Sequence, residues 1–166
     1  MKDINNWVEK LNLQAHPEGG MYRQTYKSHE TILKAALPKR FTGDRLFSTA
    51  IYFFLNGDDF SAFHRIKQDE LWHFYDGSAL TIHIITPDAT YSTLKLGINI
   101  DNDESPQQVV KAGSYFAVEI NDKNSYSLSG CTVAPGFDFA DFDMPERGRL
   151  FKLFPLYKEL ITKFTR

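Results

Sequence analysis

The spacing of apolar residues changes period twice along the chain. Ile4, Trp7, Val8 and Leu11 recur at i, i+3, i+4 and i+7, which predicts a short amphipathic helix with Asp3 as its N-cap. At the other end Pro155 suits a first helical turn, and Leu156, Leu160, Ile161 and Phe164 fall on one helical face. Between these segments the period is two. Met21 to Tyr26 alternates aromatic with polar residues, and Phe47 to Leu55 is rich in β-branched and aromatic side chains. Strands are also predicted over Phe60 to Ile66, Leu71 to Tyr75, Leu80 to Ile85, Gln108 to Val110, Tyr115 to Ile120, Ser125 to Leu128 and Cys131 to Ala134. Asn56-Gly57-Asp58, Asp76-Gly77 and Pro87-Asp88 punctuate them as turns. Short strands at this spacing define an all-β fold, a barrel or sandwich in one domain over residues 1–166.

Two segments interrupt the rhythm. Ser28 to Arg45 is long and basic, with a helical turn expected around Thr31 to Leu37; its length fits either a lid or a disordered loop. Asp101 to Glu104 reads as a solvated acidic turn.

A chain of 166 residues can bury roughly two thirds of its unfolded surface, so its core needs neither disulfide nor metal. Nineteen basic against twenty-one acidic residues leave a net charge of −2, which argues against a nucleic-acid or membrane-surface partner. Cys131 is the single cysteine, and the opening residues lack a secretory apolar core; both favour the cytoplasm. The chain holds 14 Phe, 8 Tyr and 2 Trp, and in Ala50-Ile51-Tyr52-Phe53-Phe54-Leu55 both strand faces are apolar. The outward face must then lie under a helix or against another subunit, so a homodimer is expected.

The chemistry concentrates in His64-Arg65-Ile66-Lys67-Gln68-Asp69-Glu70-Leu71-Trp72-His73-Phe74-Tyr75-Asp76-Gly77. In a barrel alternate side chains point inward, so His64 and Ile66 share a face, as do Glu70, Trp72 and Phe74, while His73 faces away. A His and a Glu meeting in one apolar cavity can bind a metal or act as a base and its partner. His16-Pro17-Glu18-Gly19-Gly20 offers a carboxylate beside a sharp turn. Arg23 and Arg65 are candidates for acidic ligands or for pairing with Glu18 and Asp69. His83 reads as a solvent-facing strand residue and Cys131 as buried and inert.

The His64 to Gly77 stretch resembles the first motif of the cupin superfamily, with His64, Glu70 and Gly77 in place and Ile66 where a second histidine belongs. Lys111-Ala112-Gly113-Ser114-Tyr115-Phe116 aligns with the second motif, with Lys111 for its proline and Phe116 for its histidine. Two of the four usual metal ligands are therefore absent, and neither a metal nor another cofactor is expected. Over nearly the whole chain, His16 to Gly20, Arg23, Pro106-Gln107 and Cys131 to Phe139 resemble the cupin-5 family. This likeness implies a jelly-roll or double-stranded barrel with short terminal helices, usually dimeric, related distantly to sugar-nucleotide 3,5-epimerases.

The likeness supplies no reaction; the function expected is binding of a small ligand, sugar-like or a nucleotide sugar, inside the barrel, with metal-independent isomerase or epimerase chemistry as the reaction favoured. His64 and Glu70 are the expected catalytic pair, with Tyr75 or Tyr115 returning a proton. His16, Glu18, Arg23, Trp72, Phe116 and Phe137 are expected to bind the ligand. A non-catalytic sensor and a metal-dependent dioxygenase are the alternatives.

Overall fold

A computed structural model describes residues 4–57 and 59–166; the side chains of Ile4 and Asn5 are not described, and the Asp3 cap lies outside. The chain opens with helix α1 (Ile4–Lys10) and strands β1 (Gln14–Ala15) and β2 (Met21–Lys27). The segment read as a lid or a disordered loop contains β3 (Thr31–Ile32), a 3₁₀ turn at Lys34–Ala36 and β4 (Arg45–Leu46). The body continues through β5 (Thr49–Asn56), β6 (Phe60–His64), β7 (Asp69–Gly77), β8 (Leu80–Ile85), β9 (Tyr91–Leu96), β10 (Gln107–Val110), β11 (Tyr115–Ile120) and β12 (Tyr126–Ala134). Helices α2 (Arg147–Leu153) and α3 (Lys158–Lys163) close it.

Six strands form one antiparallel sheet in the order β1-β2-β5-β12-β7-β10, and four form a second in the order β6-β11-β8-β9; β3 and β4 pair as a small arm. Period-two alternation builds the core between the two sheets. Leu80, Ile82 and Ile84 of β8 and Phe116, Val118 and Ile120 of β11 face Phe53, Leu55, Trp72 and Cys131 across the barrel. This is the jelly-roll barrel of the cupins.

The outer faces are covered by the termini. Trp7, Val8 and Leu11 pack on Phe54, Tyr126 and Leu128, so α1 shields the outward apolar side of β5. Phe63, Ile85, Tyr115 and Ala117 are buried under Leu150, Phe154, Ile161 and Phe164. This cover corrects the reading of His83, which is only 8 % exposed and contacts Tyr91 Oη at 2.8 Å and Glu119 Oε1 at 3.1 Å. Leu156 departs from its expected helical face. Pro155–Tyr157 is a 3₁₀ turn, so the 3.6-residue period does not reach back to Leu156, which is 86 % exposed.

The segment after β12 is pinned by a buried ion pair. Arg45 donates to both oxygens of Asp141, at 2.7 and 2.6 Å; Gln68 Nε2 donates to Asp141 at 2.8 Å, and Lys67 adds a contact at 3.2 Å. Arg45 and Asp141 are 5 % and 3 % exposed, so removing either leaves a buried charge without its partner. Asp141→Ala is expected to lower unfolding free energy by about 3–5 kcal/mol in urea denaturation. A loss of under about 1 kcal/mol, the range of an exposed pair, would show that this pair does not hold the segment.

Candidate functional site

The turn from β1 to β2 delivers a carboxyl group into the barrel. His16 N donates to Gly20 O and Gly19 N to His16 O, closing a tight loop. Gly19 (φ +110°) and Gly20 (φ +71°) lie in backbone regions that disfavour side chains, and a Cβ at Gly19 would sit 2.2 Å from Phe60 O. The loop is fastened to β6, where Ala62 N donates to Glu18 O at 2.8 Å and Ser61 Oγ donates to Glu18 Oε1 at 2.9 Å.

A bulge in β6 completes the arrangement. Its pairing with β11 shifts between His64↔Phe116 and Ser61↔Val118. Ser61 and His64 are three residues apart and would face opposite sides of a regular strand; the extra residue brings both to Glu18. The bulge also turns Ala62 O to within 2.8 Å of His64 Nδ1. A carbonyl only accepts, so Nδ1 carries a hydrogen and Nε2 is left for Glu18 Oε2, 3.1 Å away. His16 Nδ1 lies 3.4 Å from the same oxygen.

His16, Glu18 and His64 border a cavity of about 320 Å³, lined also by Tyr22, Ile66, Glu70, Cys131, Phe137 and Phe142. Glu70 enters from β7 in the inward register shared with Trp72, and its carboxyl is hydrogen-bonded with the Cys131 thiol. Burial pushes Glu18 and Glu70 each up to about 7 and lowers His16 and His64, because low-dielectric surroundings disfavour every charged form. Burial, then the neighbouring Glu70, raises the Cys131 thiol well above its ordinary value. Near neutral pH the two carboxyls are in mid-titration beside neutral histidines, the condition in which an acid can both give and take a proton.

Of the residues singled out from sequence, His16, Glu18, His64, Glu70 and Phe137 meet at this cavity. Phe116 stands behind His64, ring centroids 4.1 Å apart, and Trp72 is fully buried against Phe53 and Phe116. The other three lie elsewhere. Tyr75 is 51 % exposed beside Tyr52, and it is the residue left unpaired where the register of β7 and β12 shifts. Tyr115 points to the outer face of its sheet, donates to Asp143 at 2.9 Å and is pushed up to about 12. Arg23 is exposed and donates to Leu11 O at 3.0 Å. Arg65 pairs with Asp143, and Asp69 with Lys111. Sequence reasoning missed Tyr22, Ser61 and Phe142, and it read Cys131 as buried and inert, as the structure finds it. The aromatic spacing of Phe137, Phe139 and Phe142 was the signal available for Phe142.

The donor set does not fit the metal centre that the fold class suggests. Ile66 offers no donor, the Phe116 ring lies against His64, and both nitrogens of His64 are engaged. Among the described residues no group of three or more His, Cys, Asp or Glu is arranged to hold a metal ion.

Barrel and inward-facing site define a cupin. Residues 5–145 match the family model described as Cupin superfamily (DUF985), and the chain belongs to that family. It is similar to a crystal structure from Shewanella oneidensis, with TM-score 0.89, 35 % identity and coverage of 100 % of this chain and 99 % of that one. A hypothetical protein from Leishmania major gives TM-score 0.88 and 27 % identity, over 99 % of each chain. An uncharacterized protein of Saccharomyces cerevisiae is 28 % identical over 147 residues, 83 % of this chain and 71 % of the yeast protein. Oxalate decarboxylase from Bacillus subtilis, at 12 % identity and TM-score 0.55 over 36 % of its chain, shares the fold alone. No helix among the described residues is long and apolar enough to cross a membrane.

The raised carboxyls fix a pH signature. Glu70 holds its proton more tightly folded than unfolded, so its contribution to stability is full below the ordinary value of 4.5 and is lost as pH rises through about 7. Glu70→Gln removes that loss. The variant is expected to gain up to about 3 kcal/mol over the native chain at pH 8, the gain vanishing near pH 4.5. Thermal melts across pH test this, and a difference independent of pH would refute an acid titrating near neutrality.

Proposed function

We propose that this cupin binds a small carbonyl- or hydroxyl-bearing molecule in the barrel and moves a proton on it without a metal, as an isomerase or epimerase does. The supporting observation is the hydrogen-bonded series Ala62 O, His64, Glu18 at one wall of the cavity, with Glu70 at another. The roles expected of the residues shift accordingly. His64 has both nitrogens occupied, so it serves with Glu18 as a store for a proton, while Glu70, bonded to a weak thiol partner, is the group free to take one from the ligand. Tyr22, which lines the cavity, replaces Tyr75 and Tyr115 as the phenol available to the ligand's oxygen. Phe137 and Phe142 wall the space and exclude water, which strengthens each charge interaction inside.

Incubation of small aldoses, ketoses and oxo compounds with the protein in deuterated water, followed by NMR, tests this reading. Protein-dependent exchange of a carbon-bound hydrogen is expected, reduced about 10²–10⁴-fold in Glu70→Gln. Retention of every such hydrogen in a ligand that demonstrably binds would leave a binding protein without catalysis.

We further propose a cytoplasmic homodimer. The buried free thiol suits a reducing compartment, and Tyr26, Leu33, Phe47 and Tyr75 leave apolar surface on the outside. Light scattering after gel filtration is expected to give twice the 19.1 kDa chain mass, and a mass near 19.1 kDa at micromolar concentration would overturn the dimer.

A further inference from the structure

The cavity is acidic without a counter-cation. Among its described lining residues none is Lys or Arg. Arg40, Arg65 and Lys67 border a separate depression that shares only Ile66 and Phe142 with it. Those cations are engaged there: Arg65 with Asp143, Lys67 with Asp141, and Arg40 with Lys67 O at 2.8 Å. Both Glu18 oxygens are also taken, Oε1 by Ser61 and Oε2 by His64 and His16. Glu70 differs. It is 8 % exposed, faces the cavity, and its hydrogen bonding is with the Cys131 thiol, a weak donor.

The apolar walls add a second preference. Tyr22, Phe53, Phe137, Phe139 and Phe142 border the same space, and aromatic faces attract cations through their ring quadrupole. A carboxyl with spare bonding capacity, in a cavity bordered by aromatic rings and by no described Lys or Arg, suits a positive ligand and penalises a phosphate. We propose that the ligand is a small organic cation whose ammonium group sits beside Glu70 between the aromatic walls. This rests on the reading of the cavity as a ligand site and narrows its chemistry, setting aside a nucleotide sugar. At about 320 Å³ the cavity lies at the small end of ligand pockets, which fits a compact amine.

Proton linkage follows from the groups that face the ligand. These are His16 and Glu18 from the β1–β2 turn, Tyr22 on β2, His64 on β6, Glu70 on β7 and Cys131 on β12. Burial keeps both histidines neutral and the thiol protonated around neutral pH, so the carboxyls set the charge. A cation drives the Glu70 proton off, and its binding therefore strengthens as pH rises through about 7.

Isothermal titration of the full chain with choline, a permanent cation, and with its neutral isostere 3,3-dimethylbutan-1-ol decides the matter. Choline is expected to bind at least about tenfold tighter than the alcohol at pH 8, with the ratio shrinking toward pH 6 and protons released to buffer. Glu70→Gln is expected to abolish the preference, bringing choline's affinity to that of the alcohol measured on the same variant. Equal affinity for the two probes, no response to either at millimolar concentration, tighter binding of inorganic phosphate, or a preference that survives Glu70→Gln would each overturn the proposal. Deuterium exchange is read separately. Exchange without choline selectivity removes the cation and keeps the chemistry, whereas selectivity without exchange keeps the cation and removes the chemistry.

Discussion

Burying the carboxyl of Glu18 constrains the architecture around it. A carboxyl group drawn from water costs several kcal/mol unless its oxygens are bonded, and here each oxygen has a partner. Meeting that requirement takes the double-glycine turn, which lets the chain pass against Phe60 O and Phe54 O, and the bulge in β6, which aims Ser61 and His64 together. The same bulge points Ala62 O at His64 and fixes which nitrogen faces Glu18. Backbone irregularity and proton placement are thus one device. Residual desolvation leaves Glu18 titrating near 7 instead of 4.5.

The opposite wall is held by a different balance. Phe137, Phe139 and Phe142 contact one another edge to face at 5.0 to 6.2 Å, and Phe142 also lies 5.4 Å from the ring of His64. Phe139 is 58 % exposed, so packing alone secures this aromatic segment weakly. Asp141, between the rings in sequence, supplies the anchor through Arg45, Gln68 and Lys67. Arg45 begins β4, so the basic segment that looked like a loop in the sequence contributes the buried cation that pins the cavity wall.

Legibility in the sequence followed the strength of the alternating pattern. Strands β8 and β11 carry unbroken apolar alternation between two covered faces, and their inward residues were readable one by one. Strand β9 was missed because Tyr91, Ser92 and Thr93 are exposed and give no buried period. Ser129-Gly130 fell between two predicted strands, Ser125 to Leu128 and Cys131 to Ala134. The structure runs one continuous strand through them, paired with Phe53 and Tyr52 of β5, and the glycine makes room for Tyr75, whose Oη would lie 2.5 Å from a Cβ there. At the site, His64, Glu70, His16 and Glu18 were legible as chemistry. Their relation was not, since it depends on a one-residue insertion in the pairing of β6 that no hydrophobic period records. Tyr75 and Tyr115 failed for the complementary reason: residue type suggested a proton donor, and the register turned both outward.

The residues at the lost ligand positions explain how the interior can hold acids without a metal. Ile66 contributes an apolar wall, and Phe116 lies against the His64 ring at 4.1 Å, so each substitution removes a donor and lowers the local dielectric. A metal would stabilise carboxylates by its charge; apolar neighbours instead raise their proton affinity. Glu18 and Glu70 both move to about 7, and the two histidines move the other way. The ordinary order of proton affinity is thereby reversed, the carboxyls holding their protons up to about 7 while burial disfavours the charged histidines. Burial therefore favours a carboxylic acid beside a neutral imidazole over a carboxylate–imidazolium pair, so the acids of this interior keep a proton to give where exposed carboxyls would have lost theirs.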